Sequence, residues 1–443
     1  MQADAPKASW SARLTTLLAS DFPRSFAAQI LMSAFHFGLN MVLLRIVSPY
    51  EYGVFAFAWV LAMFALAINN ALVSTPLSIY TPIIPDAAER ATQKAMLASA
   101  NLVLSAAFLA GGISYALLAG FSLQISTGLA AFVAAYAARH YSRTIGFAQA
   151  RALVVACGDV VYVLTGTILV GMLYLSDPTL AVGPVLMALT AANLIAMLAE
   201  RRILDSRSKP DESGRRPQRY LGSLRGYPPV WRRIRWALVG ALTSMFLGQA
   251  HSFIVTSSLG PEAFAPLAAG FVLFGPVRVA LIQWQNMAKP VIAMNLDARR
   301  YDEVRNKIRT TNLLAAMAVL FLAVVLYLLW PWIHELMFAR RYADAPMGRI
   351  VTIWCLITLA ATSYNAPSAA LQALSEFRLL ALASVWGAFM SATLVWTLLA
   401  TVSTDATLWG VLASEIFMAV LLAWCLSRAL DAVDDTRSSV AAP

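Results

Sequence analysis

The chain has 443 residues, 60% hydrophobic and 13% charged, with a mean hydropathy of +0.68 and a formal charge of +10. A soluble domain carries about 25% charged residues, and surface-to-volume scaling leaves a globular fold no room to hide this much apolar area. These figures exclude a soluble enzyme, a disordered chain and a disulfide scaffold, and unbroken apolar runs of about 20 residues exclude the alternating strands of a β-barrel.

In chain order, the first 25 residues hold Lys7, Arg13 and Arg24 and no apolar core, so they read as a cytoplasmic segment without a cleavable signal. Trp10, Leu14, Leu17 and Leu18 fall at helical spacing. They fit either an in-plane amphipathic helix or a polar tail. Twelve segments then reach the length of about 20 apolar residues that a span needs. They are 25–47, 52–80, 93–119, 121–143, 150–174, 179–199, 235–258, 262–290, 309–333, 347–373, 377–401 and 404–428. The expected fold class is an all-α polytopic membrane protein.

Twelve is even, so both termini share a side. Of the 33 Lys and Arg, 28 fall on that side, including three in the connection after the fourth span. Arg45, Arg340, Arg341 and Arg349 fall on the other, and Arg278 is the one arginine read well inside a span. The positive-inside rule makes the terminus side cytoplasmic. Topology thus accounts for the net charge, and no nucleic-acid partner is implied.

The stretch Glu200–Arg235 carries 11 basic and 4 acidic residues with four prolines, and reads as a cytoplasmic linker with affinity for anionic headgroups. The expected organisation is residues 1–24 as an N-terminal segment, 25–199 as one six-helix half, 200–234 as the linker, 235–428 as the second half and 429–443 as a cytoplasmic tail. The halves show a weak repeat. An offset of 211 pairs Leu31, Ser33, Phe35, Glu51 and Ala58 with Leu242, Ser244, Phe246, Glu262 and Ala269. Each half has a polar-striped span, a short turn with Pro and Glu, and a long span closing near a Pro (Pro76, Pro290). Six spans per half imply a pseudo-two-fold axis along the membrane normal, an architecture used by transporters.

A polar side chain inside hydrocarbon is costly and is a functional candidate by default. In the first span Gln29, Ser33, His36 and Asn40 share one helical face, and in the seventh Ser244, Gly248, His251 and Ser252 share another, with Gln249 beside it. They read either as the lining of a cavity between the halves or as polar helix packing. Asn70, Ser74 and Ser78 line the second span at every fourth residue. In the eighth, Arg278 precedes Gln283, Gln285, Asn286 and Lys289. Its planar fork suits a phosphate or pyrophosphate oxygen, and the alternative is an ion pair with Glu415. Asp159 and Glu415 lie near mid-membrane, where each fits either an H⁺ or Na⁺ coupling role or a structural pairing with a buried donor. Cys157, Cys355 and Cys425 sit in spans with no pairing pattern, and no His/Cys cluster suggests a metal. No phosphate loop, zinc motif or nucleophile elbow is present, so neither an enzyme nor an organic cofactor is expected.

Leu44–Gly53 (LRIVSPYEYG) and Ser258–Phe264 (SLGPEAF), with continuations through Phe57 to Pro76 and through Phe271 to Pro290, carry a resemblance. Together with the two six-span halves they resemble the polysaccharide transporter branch of the MOP superfamily, the Wzx-type flippases of O-antigen and exopolysaccharide synthesis. The resemblance implies a multi-pass protein of the bacterial inner membrane that moves an undecaprenyl-pyrophosphate-linked oligosaccharide between leaflets. It also implies membrane lipid as surroundings and the polysaccharide polymerase and chain-length machinery as partners. Arg278 is the position that best fits a cationic anchor for the pyrophosphate. The related MATE branch, a multidrug exporter coupled to H⁺ or Na⁺, is the rival reading. The connection TPIIPDAAERATQK lacks the signature of a major-facilitator transporter, and the loops are too short for a polymerase.

Overall fold

The computed structural model describes residues 22–81, 84–149, 151–206, 222–298, 300–374 and 376–440. All regular elements among them are helical. The N-half comprises α1 (Phe22–Ile46), α2 (Pro49–Asn69), α3 (Ala87–Leu118), α4 (Leu123–Ala148), α5 (Ala152–Ser176) and α6 (Val182–Ser206). The C-half comprises α7 (Tyr227–Leu259), α8 (Pro261–Val272), α9 (Gly275–Asp297), α10 (Tyr301–Leu328), α11 (Met347–Ser363), α12 (Asn365–Ala373), α13 (Phe377–Thr401) and α14 (Thr407–Val440). Among the described residues ten helical segments are long and apolar enough to cross a membrane, so this is a multi-pass membrane protein. All twelve expected spans are helical. The two outside the ten are α4, which carries charge, and the eighth, which breaks between α8 and α9 around Leu273–Phe274 and holds Pro266 and Pro276. A proline removes a backbone donor and crowds the preceding turn, which makes such a break cheap.

Local chemistry sets the helix starts. Ser48 Oγ accepts from the Glu51 amide at 3.2 Å, with Pro49 and Glu51 in the first turn of α2. Asp86 caps α3 through the Glu89 amide at 2.8 Å, and Ser122 caps α4 through Ile125. Each cap satisfies a free N–H and is worth about 1 kcal/mol. Beyond Asn69, α2 widens into two π-helical turns, Asn70–Ser74 and Pro76–Tyr80. Such turns often mark functional positions.

Two boundaries differ from the sequence reading. Helix α6 continues to Ser206, into the stretch read as linker, and α7 begins at Tyr227, eight residues before the expected 235. The approach to α7 docks on the N-half. Gly222 donates its amide to Ala95 O at 3.0 Å, Ser99 Oγ donates to Gly222 O at 2.8 Å, and Tyr227 Oη donates to Leu72 O at 2.7 Å. The proposed in-plane N-terminal helix and linker residues 207–221 lie outside the described residues.

The core shows how the halves meet. Toward the face opposite the termini one apolar cluster runs through both, joining Tyr52, Phe55 and Phe57 to Phe264, Leu267, Phe338 and Trp354. Toward the terminus face the clusters are separate. Val73, Leu77, Met96, Leu97 and Tyr141 form one in the N-half, and Leu296, Val304, Ile308, Leu371 and Leu430 belong to another in the C-half. The halves therefore share one core at one face, while at the other the clusters are distinct and the N-half cluster is met from the C-half by Tyr227 and Val230 at the start of α7. Phe253 of α7 meets Phe57 and Phe64 of α2 edge to face, at 5.5 and 4.9 Å between ring centroids.

Gly53 decides the closest approach. A Cβ there would stand 1.9 Å from Pro261 O, so the two Pro/Glu turns found by sequence pack directly on one another. Gly53→Val is expected to prise this face apart at a cost of about 1–3 kcal/mol. In a chain with its native cysteines replaced, a cysteine at buried Phe57 should then gain labelling by a water-soluble maleimide. Unchanged labelling would show that the contact is dispensable.

Candidate functional site: two polar interiors

The polar stripes face inward, each within its own half. In α1, Gln29 O accepts from Ser33 Oγ at 2.8 Å, and His36 Nε2 meets Tyr162 Oη of α5 at 3.0 Å. The His36 ring also stands 4.6 Å from that of Trp59. Asn40 donates to His36 O at 2.8 Å and accepts from Tyr52 Oη at 3.2 Å. From the π-helical turn of α2, Asn70 Oδ1 bonds His140 Nε2 at 2.7 Å, and Ser74 Oγ accepts from Thr144 Oγ1 at 3.2 Å. The wider turn thus aims both side chains at α4.

The largest departure from the sequence reading lies on α4. Arg139 and Arg143 are two of the three basic residues counted to the connection after the fourth span. The structure places them inside the bundle, with side chains 3% and 14% exposed. Arg139 Nη2 donates to Asp159 Oδ1 at 2.6 Å, and Arg143 Nη1 donates to the same oxygen. Arg139 Nε also lies 3.4 Å from Glu200 Oε1, and its guanidinium sits 4.7 Å from the Tyr162 ring centroid. Arg143 Nη2 reaches Gln29 Oε1 at 3.4 Å. Glu200, read as the start of the linker, is 1% exposed and belongs to this network. Arg278 is therefore not the lone arginine within the spans. The expected span reached 143, yet the charge count assigned the arginines of its last turns to the connection that follows. The signal was available: Arg139 and Arg143 are four apart on one helical face, and Asp159 follows on the next helix.

Two arginines and two carboxylates make this cluster formally neutral. Buried charges of this kind are costly to desolvate and hold only while paired, so the pairing locks α4, α5 and α6 together. Asp159 is accordingly bound by two cations, while both oxygens of Glu200 lack a hydrogen-bond partner.

The C-half interior is built differently. His251 is 1% exposed and Ser252 0%. His251 packs on Phe264 and Trp354, and its Nε2 meets Ser252 Oγ at 3.2 Å. Ser252 Oγ in turn lies 2.9 Å from Gln249 Oε1, and Ser244 pairs with Ser384 of α13 at 3.0 Å. The two stripes, read either as the lining of a cavity between the halves or as polar helix packing, make their hydrogen bonds within their own halves. The reason is that the aromatic contacts of α2 with α7 occupy the space between.

Arg278 opens α9 just after the break. It is half-buried, its guanidinium 4.5 Å from the Phe271 ring centroid, and Glu415 and Tyr364 lie within its electrostatic reach. Among the described residues it forms no ion pair within 4 Å. Glu415 is 4% exposed, with Oε2 lacking a hydrogen-bond partner. The side chains of Gln283, Gln285, Asn286 and Lys289 lie outside the described residues. No group of three or more metal-ligating side chains occurs among the described residues.

No family model and no curated protein matches this chain. Solved structures do. An inward-facing multidrug resistance MATE family transporter of the MOP superfamily aligns at a TM-score of 0.65 and 14% identity, over 92% of this chain and 96% of that one. An outward-facing one aligns at 0.63 and 13%, over 93% and 95%. The chain has the fold of MOP-superfamily transporters. A third MOP superfamily transporter, from Pyrococcus furiosus, aligns at 0.62 and 12%, over 93% and 95%. A reverse polarity of its binding pocket was taken to suggest a different function for it. Arg278 is half-buried with no ion pair within 4 Å among the described residues, and Asp159 is paired with Arg139 and Arg143.

Proposed function

We infer that this protein is a membrane transporter that moves an anionic, sugar-bearing polyprenyl pyrophosphate between leaflets of the bacterial inner membrane by alternately opening its halves. Arg278 carries the reading. A cation held half-buried within a span without a close carboxylate has charge to spare for a substrate, and its planar fork matches phosphate oxygens. A sugar-pyrophosphate headgroup crosses lipid slowly because its polar groups lose water without replacement. Arg278 of the C-half supplies a replacement partner, while the apolar tail remains in lipid. The shared core at one face and separate cores at the other are what a two-half carrier needs to close one side at a time. The positive-inside count makes the separated face cytoplasmic, where such a substrate is assembled.

The alternative is a MATE-type multidrug exporter coupled to H⁺ or Na⁺, favoured by the solved structures that share the fold. Its usual cargo is cationic, which Arg278 opposes, and an acid held by two arginines is poorly placed to release and take up an ion. Lipid extracts from a deletion strain, with and without the gene restored, decide between them by mass spectrometry. Accumulation of a polyprenyl-pyrophosphate oligosaccharide, reversed by the gene, is the expected result. An unchanged lipid profile with altered drug sensitivity would favour the exporter.

A further inference from the structure

Four cations were assigned by sequence to the face opposite the termini, and their placement there is uneven. Arg349 Nη2 is held by Asp405 Oδ2 at 2.5 Å. The other three, Arg45, Arg340 and Arg341, line one pocket of about 340 Å³ together with Ile46, Tyr174 and Pro178. None of the three forms an ion pair among the described residues. Of the acids on the same face, Glu51 Oε1 accepts from the Val182 amide at 3.4 Å, Asp177 Oδ1 accepts from Thr179 Oγ1 at 2.7 Å and its amide at 2.9 Å, and Asp405 is held by Arg349. Glu262, Glu335 and Asp344 are exposed and form no ion pair with the three arginines among the described residues.

The pocket straddles the two halves. Arg45, Ile46, Tyr174 and Pro178 belong to the N-half, whereas Arg340 and Arg341 follow the π-helical turn His334–Phe338 of the C-half. Arg341 Nη2 already donates across the boundary to Ile46 O at 3.1 Å. Closing this face therefore brings like charges together, which opposes closure unless an anion lies between them.

We propose that Arg45, Arg340 and Arg341 form a site for a phosphate-bearing anion that latches the two halves together at the face opposite the termini. The ligand class follows from the donors. Guanidinium forks bind phosphate oxygens bidentately, and the pocket is large enough for pyrophosphate or the glycerophosphate head of an anionic lipid. An anion that needs arginines from both halves binds only the closed arrangement, and so shifts the population toward it. The site is independent of the cargo assigned above, because it needs only that the halves close here.

The test uses the full chain with its native cysteines replaced and spin labels at Leu175 and Trp332, exposed positions in the two halves (84% and 80%). The protein is placed in phosphatidylcholine nanodiscs and titrated with inorganic pyrophosphate, and a second set of nanodiscs contains phosphatidylglycerol. Readouts are the thermal unfolding midpoint and the distribution of label separations. The expected result is a higher midpoint and a narrower, shorter distribution with at least one probe. Arg45→Ala and Arg340→Gln, which both leave the Arg341–Ile46 bond in place, should weaken the apparent affinity about tenfold or more. Arg45→Lys, which keeps the charge and loses the fork, should fall between, and high salt should weaken all responses. A response to pyrophosphate alone identifies a soluble phosphate ligand, and a response to phosphatidylglycerol identifies a lipid headgroup. No response to either probe, or a response that survives Arg45→Ala and Arg340→Gln in folded protein, overturns the proposal.

Discussion

Arg278→Ala is expected to lower export about 10- to 100-fold at unchanged protein level, the cost of one or two charge-assisted contacts at roughly 1.5–3 kcal/mol each. The size rests on geometry. Arg278 is half-buried over Phe271 and holds no carboxylate within 4 Å among the described residues, so its removal orphans no close ion-pair partner. Folding should therefore survive a change that binding does not. Arg278→Lys should retain part of the activity, because an ammonium keeps the charge and loses the fork. Glu415 supplies the control, since it is the nearest acid named for Arg278. If Arg278 serves only to balance that carboxylate, Glu415→Gln should rescue Arg278→Ala. If Arg278 contacts cargo, the double variant should stay inactive. Normal polysaccharide output from Arg278→Ala would sink the anchor role.

Asp159→Ala should act on folding instead. Its carboxylate is shared by Arg139 and Arg143, and deleting it leaves two buried cations facing one acid, Glu200. Breaking a buried pair costs about 3–5 kcal/mol, enough to remove most folded protein from a detergent extract. The compensating change is specific. Asp159→Asn with Arg143→Gln restores charge balance, with Arg139 left to Glu200, and should recover most of the folded fraction on size-exclusion chromatography. A coupling role for Asp159 makes the opposite forecast: Asp159→Asn alone would fold normally, and transport would lose its dependence on an ion gradient. The two outcomes separate a structural clasp from an ion carrier in one pair of measurements.

Much of the fold was legible because hydrocarbon imposes simple rules. Long apolar runs become helices when no water is present to satisfy the backbone, so all twelve expected spans are helical here. The two Pro/Glu turns were also readable, since a Ser cap, a Pro and an early Glu are local signals, and they pack on each other through Gly53 and Pro261. Charge was read less well. A hydropathy count treats each Arg as a reason to end a span. Arg139 and Arg143 sit deep in α4 because Asp159 and Glu200, 20 and 61 residues further on, neutralise them there. The spacing of the two arginines is legible in the sequence, but a hydropathy count gives no weight to a partner on another helix.

The polar stripes show the same division. Helical spacing places Gln29, Ser33, His36 and Asn40 on one face, because a period of 3.6 residues is a property of the backbone alone. Which way the group faces depends on what packs behind it. Tyr162 and Trp59 draw His36 into the N-half, while Phe264 and Trp354 close over His251 in the C-half. The convergence of Arg45 with Arg340 and Arg341 is likewise invisible in sequence, since nearly 300 residues separate them. By itself the sequence determined that the chain is an all-helical, multi-pass membrane protein and where its apolar segments lie, which follows from local apolarity. Only the tertiary structure decided which charges are spent on each other and which stay free, because that depends on distances across helices and not along them.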